Sequence, residues 1–335
     1  MNVGKMSKSA GKNQTMIKVH QKYVQKKVSE KNLERIQNCG SFLLFHTDEG
    51  KEKKKLVHAN NCENRFCPMC AYKKSRKDAM KISIMLKYLE NDCQFLFLTL
   101  TSPNVTSDNL VEEIKDYNES FKRMTKLKPF MGAVIGYIRK LEIIYDGSKK
   151  ITKEMYEKKK KYYDNLGLYI GDLNPNFNKY HPHFHVLLAV KKNYFSNNYI
   201  KRDTWLEMWQ KAKRDYSITQ VDVRKLELEK GVAEIAKYSS KDSDYLISQE
   251  VFDVMYKALK GRQIITYNGV FKESAKLYKK GDLDYLKDID LTEYVYRILY
   301  QWGQGDYVQR EIRELTDEEK ERFNKQLIDE IDIEE

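Results

Sequence analysis

The chain predicts an α+β protein built on a ferredoxin-like antiparallel sheet with flanking helices. A small cysteine-bearing module precedes that sheet, and a helical C-terminal region follows it. Three observations carry this expectation. Short apolar, β-prone runs alternate with segments of helical period between residues 93 and 245. Their order is β-α-β-β-α-β, with one more helix after the last strand, which is the ferredoxin-like succession. Finally, 335 residues with 33% charged side chains suit one large or two modest domains with a strongly solvated surface.

Taken along the chain, residues 1–14 are polar and basic without periodicity and are expected to be a disordered tail. Residues 15–92 are expected to form a basic, partly helical module. Within it Ile17, Val24, Val28, Leu33 and Ile36 recur at loosely helical spacing. SFLLFHTDEGKEKKKLVHA then suggests a hairpin turning at Asp48, Glu49 and Gly50. A cysteine cluster and the basic helix KKSRKDAMKISIMLKYL follow. From Gln94 the pattern changes: FLFLTLT reads as a buried strand. Residues 107–127 read as a helix capped by Ser107 or Asp108, with Leu110, Ile114, Tyr117 and Phe121 on one face. GAVIGYIRKLEIIYD and HFHVLLAV are the next two strands. TWLEMWQKAKR is helical, ITQVDVRKLEL is the fourth strand, and KGVAEIAKYSSK is the added helix. Residues 147–180, dense in lysine and tyrosine, interrupt the central hairpin as an exposed helical insertion. Residues 246–335 are expected to be helical and to end in an acidic tail. No internal repeat is visible.

The net charge of +12 is unevenly placed. Residues 1–80 carry 18 Lys and Arg against 7 Asp and Glu, whereas the last 25 residues carry 4 against 11. A basic front end favours phosphate backbones as partners. No stretch approaches the ~20 apolar residues of a membrane span, and MNVGKMSKSAGKNQ lacks the apolar centre of a secretory leader. A cytoplasmic protein without membrane contacts is expected.

The sharpest local signal is His181-Pro182-His183-Phe184-His185. Three of the chain's six histidines stand here. Side chains alternate faces along a strand, so His183 and His185 point one way while Phe184 enters the core. Two imidazoles one pleat apart can grip one metal ion, with His181 as a further candidate ligand. Glu142, on the preceding strand, can add a carboxylate, or it can simply pair with Arg139 or Lys140. A His, His, Glu set with open positions accepts Mg²⁺ or Mn²⁺ alongside phosphate oxygens, while imidazoles alone equally suit Zn²⁺.

A second constellation is Glu234, Tyr238 and Lys241. On a helix the first two are i and i+4 and share a face. A tyrosine oxygen can attack phosphorus, a carboxylate one turn away can act as general base, and a lysine can hold the phosphate. With 24 tyrosines in the chain, this spacing by itself is weak. Tyr245, seven residues on, is a competing nucleophile. The third constellation is CENRFCPMC, in which Cys62, Cys67 and Cys70 can share a structural zinc ion. Cys39 or His58 would be the fourth ligand. In a reducing compartment such spacing favours metal over disulfides. Cys93 opens a strand and reads as core, and Thr99 and Thr101 read as structural.

Taken in order, FLTLTSPNV, HPHFHVLLAV and EIAKYSSKDSDY resemble the three motifs of rolling-circle plasmid replication initiators in the HUH endonuclease superfamily (histidine, hydrophobic, histidine). CENRFCPMC with KKSRK after it is similar to one branch of that family, and the resemblance runs from about residue 39 to 275. It implies an HUH endonuclease domain at 93–245, in a protein that binds plasmid origin DNA in double- and single-stranded form and nicks one strand. His183 and His185 would be metal ligands, Tyr238 the nucleophile and Glu234 the base for terminating hydrolysis. A 5′-phosphotyrosyl intermediate and a free 3′-hydroxyl primer would result. Host helicase and DNA polymerase are implied partners, with a homodimer as a further expectation. The insertion at 147–180 departs from the family's shorter hairpin. A tyrosine transposase shares the histidine pair and the tyrosine. Conjugative relaxases place the tyrosine before the histidines. A non-enzymatic zinc-ribbon repressor would use only the basic front end.

Overall fold

In the computed structural model, residues 22–24, 29–236, 247–303 and 306–331 are described. The described residues form two compact units: those within 1–88, residue 236 and those within 275–331 make one, and 89–235 with 247–274 the other. The strands among the described residues are β1 (Phe42–Thr47), β2 (Lys54–Ala59), β3 (Cys93–Leu100), β4 (Val134–Asp146), β5 (Lys179–Lys191), β6 (Val221–Lys225), β7 (Ile265–Gly269), β8 (Tyr296–Gly303) and β9 (Asp306–Glu314).

The second unit holds the five-stranded sheet β6-β3-β5-β4-β7, with every neighbouring pair antiparallel. Its first four strands have the order expected of a ferredoxin-like sheet, and β7 extends it at the β4 edge. β5 is central and nearly wholly buried, because Phe184, Val186, Leu188 and Val190 alternate with Leu187 and Ala189 on two covered faces. On the Phe184 face lie helices Leu110–Met124 and Arg202–Lys213. Leu110, Ile114, Tyr117 and Phe121 are buried as their spacing predicts, and Tyr117 and Phe121 meet the Phe184 ring edge-on. Each such fully buried side chain contributes about 1.5–3 kcal/mol. Gly269 has φ +55, and a Cβ there would meet Ile135 O at 2.1 Å, so the joint between β7 and β4 requires glycine.

The insertion leaves the central hairpin intact, since β4 and β5 stay paired out to Asp146↔Lys179. It contains short helices, Lys153–Lys158 and Lys160–Asn165, with Ile151 and Tyr163 buried. Asn174 closes its base, its Nδ2 donating to Asp146 Oδ1 at 2.8 Å and to Ser148 O at 2.9 Å.

The first unit holds the sheet β2-β1-β8-β9. The hairpin expected at 41–59 is β1 and β2. The helical reading of 246–335 is corrected: β7, β8 and β9 all lie there, alongside helices Gln249–Leu259, Val270–Lys280 and Asp317–Phe323. β8 pairs with β1 from Phe42↔Gln301 to Thr47↔Tyr296. Leu43, Phe45, Ala59, Ile298 and Tyr300 form a core cluster on one face. Helix Pro68–Leu89 packs Met80 and Ile84 on Leu283. Its buried Arg76 pairs with Glu330 of the acidic tail at 3.5 Å. No helix among the described residues is long and apolar enough to cross a membrane.

Candidate active site and cysteine cluster

The β4–β5 pairing sets Glu142 directly opposite His183 and Lys140 opposite His185, all on the sheet face away from Phe184. One nitrogen or oxygen from each of Glu142, His183 and His185 lies within 4.8 Å of the other two. The closest approaches are His183 Nε2 to His185 Nε2 at 3.1 Å and His185 Nε2 to Glu142 Oε2 at 3.2 Å, with His183 Nε2 to Glu142 Oε2 at 4.0 Å. Strand pleating and register, both legible in the sequence, converge these donors.

The surroundings prepare them. Burial, then the neighbouring His185, pulls the pKa of His183 down to about 3, so its ring is neutral near pH 7. Its Nδ1 lies 3.2 Å from His181 O, the arrangement in which Nδ1–H donates and the Nε2 lone pair faces the cluster. Burial opposes ionisation of Glu142, but the hydrogen bond from His185 and the Lys140 charge outweigh it and hold the carboxyl at about 2. Lys140 is wholly buried, its Nζ 3.4 Å from Glu142 Oε2 and 3.1 Å from Glu234 O. Of the two pairings open to Glu142, Lys140 takes part and Arg139, on the opposite face, does not. His181 stacks on His183 with ring centroids 5.2 Å apart but is not one of the three converging donors.

The donor set fits a hard divalent ion. Bonds of about 2.1 Å at right angles separate two ligand atoms by about 3 Å, close to the two shortest approaches, and two imidazoles with one carboxylate leave positions for phosphate oxygens.

Glu234, on helix Leu228–Ala236, stands at the rim. Its Oε1 is 3.8 Å from His185 Nδ1, and its Oε2 accepts from Arg224 at 2.6 Å. Tyr238, Lys241 and Tyr245 lie outside the described residues. Sequence reasoning set Thr99 aside and did not single out Arg224; yet Thr99 Oγ1 is 3.4 Å from His185 Nδ1, and Arg224 also pairs with Asp222 at 3.0 Å. The alternation of Thr99 with Leu98 and Leu100 on β3 was the available signal.

In the other unit Cys39, Cys62, Cys67 and Cys70 form a second converging group. Sulfur separations of 3.5 Å (Cys67–Cys39) and 3.6 Å (Cys39–Cys70 and Cys62–Cys70) approach the ~3.8 Å edge of a tetrahedron with 2.3 Å bonds. All four are free thiols. Shared hydrogen bonds with Cys39, Cys62 and Cys70, together with burial, hold Cys67 far above the usual thiol range. Cys39 completes the set; His58 is exposed, its ring tilted against Phe42 with centroids 5.5 Å apart. Cys93 is buried core, its thiol donating to Leu89 O.

The profile of a family described as "Replication protein" matches residues 53–308. A Staphylococcus aureus protein named "Protein rep" is 41% identical over 237 residues, spanning 69% of this chain and 91% of its own length. Two others of that name, from Bacillus sp and Bacillus amyloliquefaciens, are each 33% identical. They cover 76% and 82% of this chain, and 83% of their own length in both cases. No solved structure matches the chain.

Proposed function

The chain belongs to the replication-protein family, and on that footing we propose that it initiates rolling-circle replication of a plasmid by nicking one DNA strand with Tyr238. The observation that carries this reading is the convergence of Glu142, His183 and His185 on one sheet face. These three would hold Mg²⁺ or Mn²⁺, and such an ion supplies polarisation of the scissile phosphate and neutralisation of its developing charge.

The tyrosine oxygen of Tyr238 attacks phosphorus as its proton leaves. The bond from phosphorus to the 3′-oxygen breaks, and that oxygen departs as a free 3′-hydroxyl, leaving a 5′-phosphotyrosyl link. At termination Glu234 takes a proton from water or from the regenerated 3′-hydroxyl, with Arg224 steadying its carboxylate. Lys241 holds the phosphate. The Cys39, Cys62, Cys67 and Cys70 cluster would hold zinc in a structural role. Origin DNA, host helicase and polymerase, and a second copy of the chain are the partners this reading calls for. The relatives' names favour an initiator over a transposase.

The test is a covalent protein–oligonucleotide band on a denaturing gel with an origin strand and Mn²⁺. The band is expected from the native chain and absent from Tyr238→Phe. A Tyr238→Phe protein that still forms the adduct, or an oligonucleotide mapped to Tyr245, overturns the assignment.

A further inference from the structure

Behind the histidines, on the opposite face of the same sheet, lies a cavity of about 230 Å³, several times a water molecule's ~30 Å³ share of the liquid. Arg139, Arg262, Asn118, Gln263 and Thr266 supply its polar lining, over a floor that includes Phe184. None of the residues lining it carries a carboxylate.

Arg139 is the unusual member. Its guanidinium lies 4.4 Å from the Phe184 ring centre and 5.0 Å from that of Phe121. One of its nitrogens donates to Asn118 Oδ1 at 2.8 Å. Among the described residues no carboxylate pairs with it, and its remaining donors have no hydrogen-bond partner. A guanidinium carries five N–H donors and stays charged. Burial draws its pKa below the usual guanidinium value, and among the described residues no anion compensates for it. A half-buried guanidinium of this kind gains from an opposite charge beside it. Arg262 brings a second guanidinium to the same cavity, oriented by its Nε donating to Ala258 O at 2.7 Å. Two guanidiniums and the Gln263 amide suit the acceptor-rich edge of a phosphate group, which takes bidentate donors from arginine, whereas the Asn118 amide already donates to Ile114 O at 2.8 Å and the Thr266 hydroxyl to Arg139 O at 3.5 Å.

We propose that this cavity is a phosphate-binding site, separate from the metal-ligand face, with Arg139 as its principal ligand. The phosphate comes either from a free nucleotide or from the backbone of a DNA strand. The inference holds whether or not Tyr238 is the nucleophile, because it uses none of the groups assigned to strand cleavage.

The experiment compares thermal unfolding of the full chain and of Arg139→Gln, in chloride and in three probes at matched ionic strength: inorganic phosphate, thymidine 5′-monophosphate and a ten-residue oligothymidylate. In the native chain a probe at ten times its dissociation constant should raise Tm by roughly 3–5 °C. In Arg139→Gln that rise should vanish, while Tm in chloride stays level or increases, because an uncompensated half-buried charge has gone. A lowered Tm in chloride with an undiminished phosphate response marks a purely structural arginine and overturns the proposal. So does a native chain that responds to none of the probes. A selective response to the mononucleotide identifies a nucleotide site, and one to the oligonucleotide identifies a strand contact. Should Arg139→Gln fail to fold, Arg262→Gln carries the test: at least tenfold weaker phosphate affinity is expected, and unchanged affinity overturns the proposal.

Discussion

Replacing Lys140 with methionine separates electrostatic support of the site from its packing. The side chain is wholly buried and its ammonium stands 3.4 Å from Glu142 Oε2. At an effective dielectric constant of about 20 that pair is worth about 5 kcal/mol before desolvation. Breaking a buried pair from one side typically costs 3–5 kcal/mol. Glu142 keeps 15% of its side chain exposed, so the lower figure applies, about 3 kcal/mol. For a unit of this size, that is a fall in Tm of about 6–12 °C. A bound divalent cation would answer the Glu142 charge itself, leaving mainly the lost hydrogen bond to Glu234 O, about 1 kcal/mol. Calorimetric melts of native and Lys140→Met protein should therefore differ strongly in chelator and by about a third as much in saturating Mn²⁺. An equal difference in both conditions, or none in chelator, would refute the view that Lys140 stands guard over a carboxylate shared with a metal.

Other outcomes follow from the same geometry. Replacing His183 and His185 together with Ala should abolish strand cleavage while duplex origin binding, measured by filter retention, survives; full cleavage by that variant removes the metal assignment. Protein purified without chelator should hold one zinc per chain, and Cys67→Ser should lose it together with structure around the cluster, as read by metal analysis and proteolysis. His46 gives a pH signature: burial lowers its pKa from 6.5 to about 4, against the T-shaped contact with Phe323 at 4.6 Å. Between those values the unfolded chain takes up a proton that the folded chain refuses. Stability is thus full above about pH 6.5 and declines as pH falls towards 4, by up to about 3 kcal/mol. Urea midpoints should show this decline, and His46→Leu should lessen it; an identical decline in the variant places the acid sensitivity elsewhere.

The elements legible in the sequence were those whose partners lie close along the chain or whose pattern is strongly periodic. FLFLTLT, the 107–127 helix and the two strands around the insertion needed only alternation, helical period and a hairpin, and the register they imply sets Glu142 opposite His183. CENRFCPMC and Cys39 gather around a compact turn. β8 and β9 pair with each other, yet they were missed because YRILYQWG and DYVQREIRE mix charged and polar residues with apolar ones, and the sheet they join is distant along the chain: Phe42 meets Gln301. Lys140 was named only as a rival partner for Glu142, since nothing local tells a surface lysine from one sealed beneath a helix. Thr99 and Arg224 reach the site only once β3, β5 and β6 lie side by side.

The pairing of β1 with β8 has a consequence for synthesis on the ribosome. β2 ends at Ala59 and β8 begins at Tyr296, so about 240 residues are made between the two halves of one sheet. At 5–20 residues per second the early hairpin waits roughly 12–50 s for its partner. The five-stranded sheet, complete at Gly269, leaves the ribosome first and can fold during that interval. A nascent chain stalled before residue 296 would therefore present the edge of β1 and the apolar side chains Leu43 and Phe45 to solvent, an invitation to chaperones that ends only once β8 has been made.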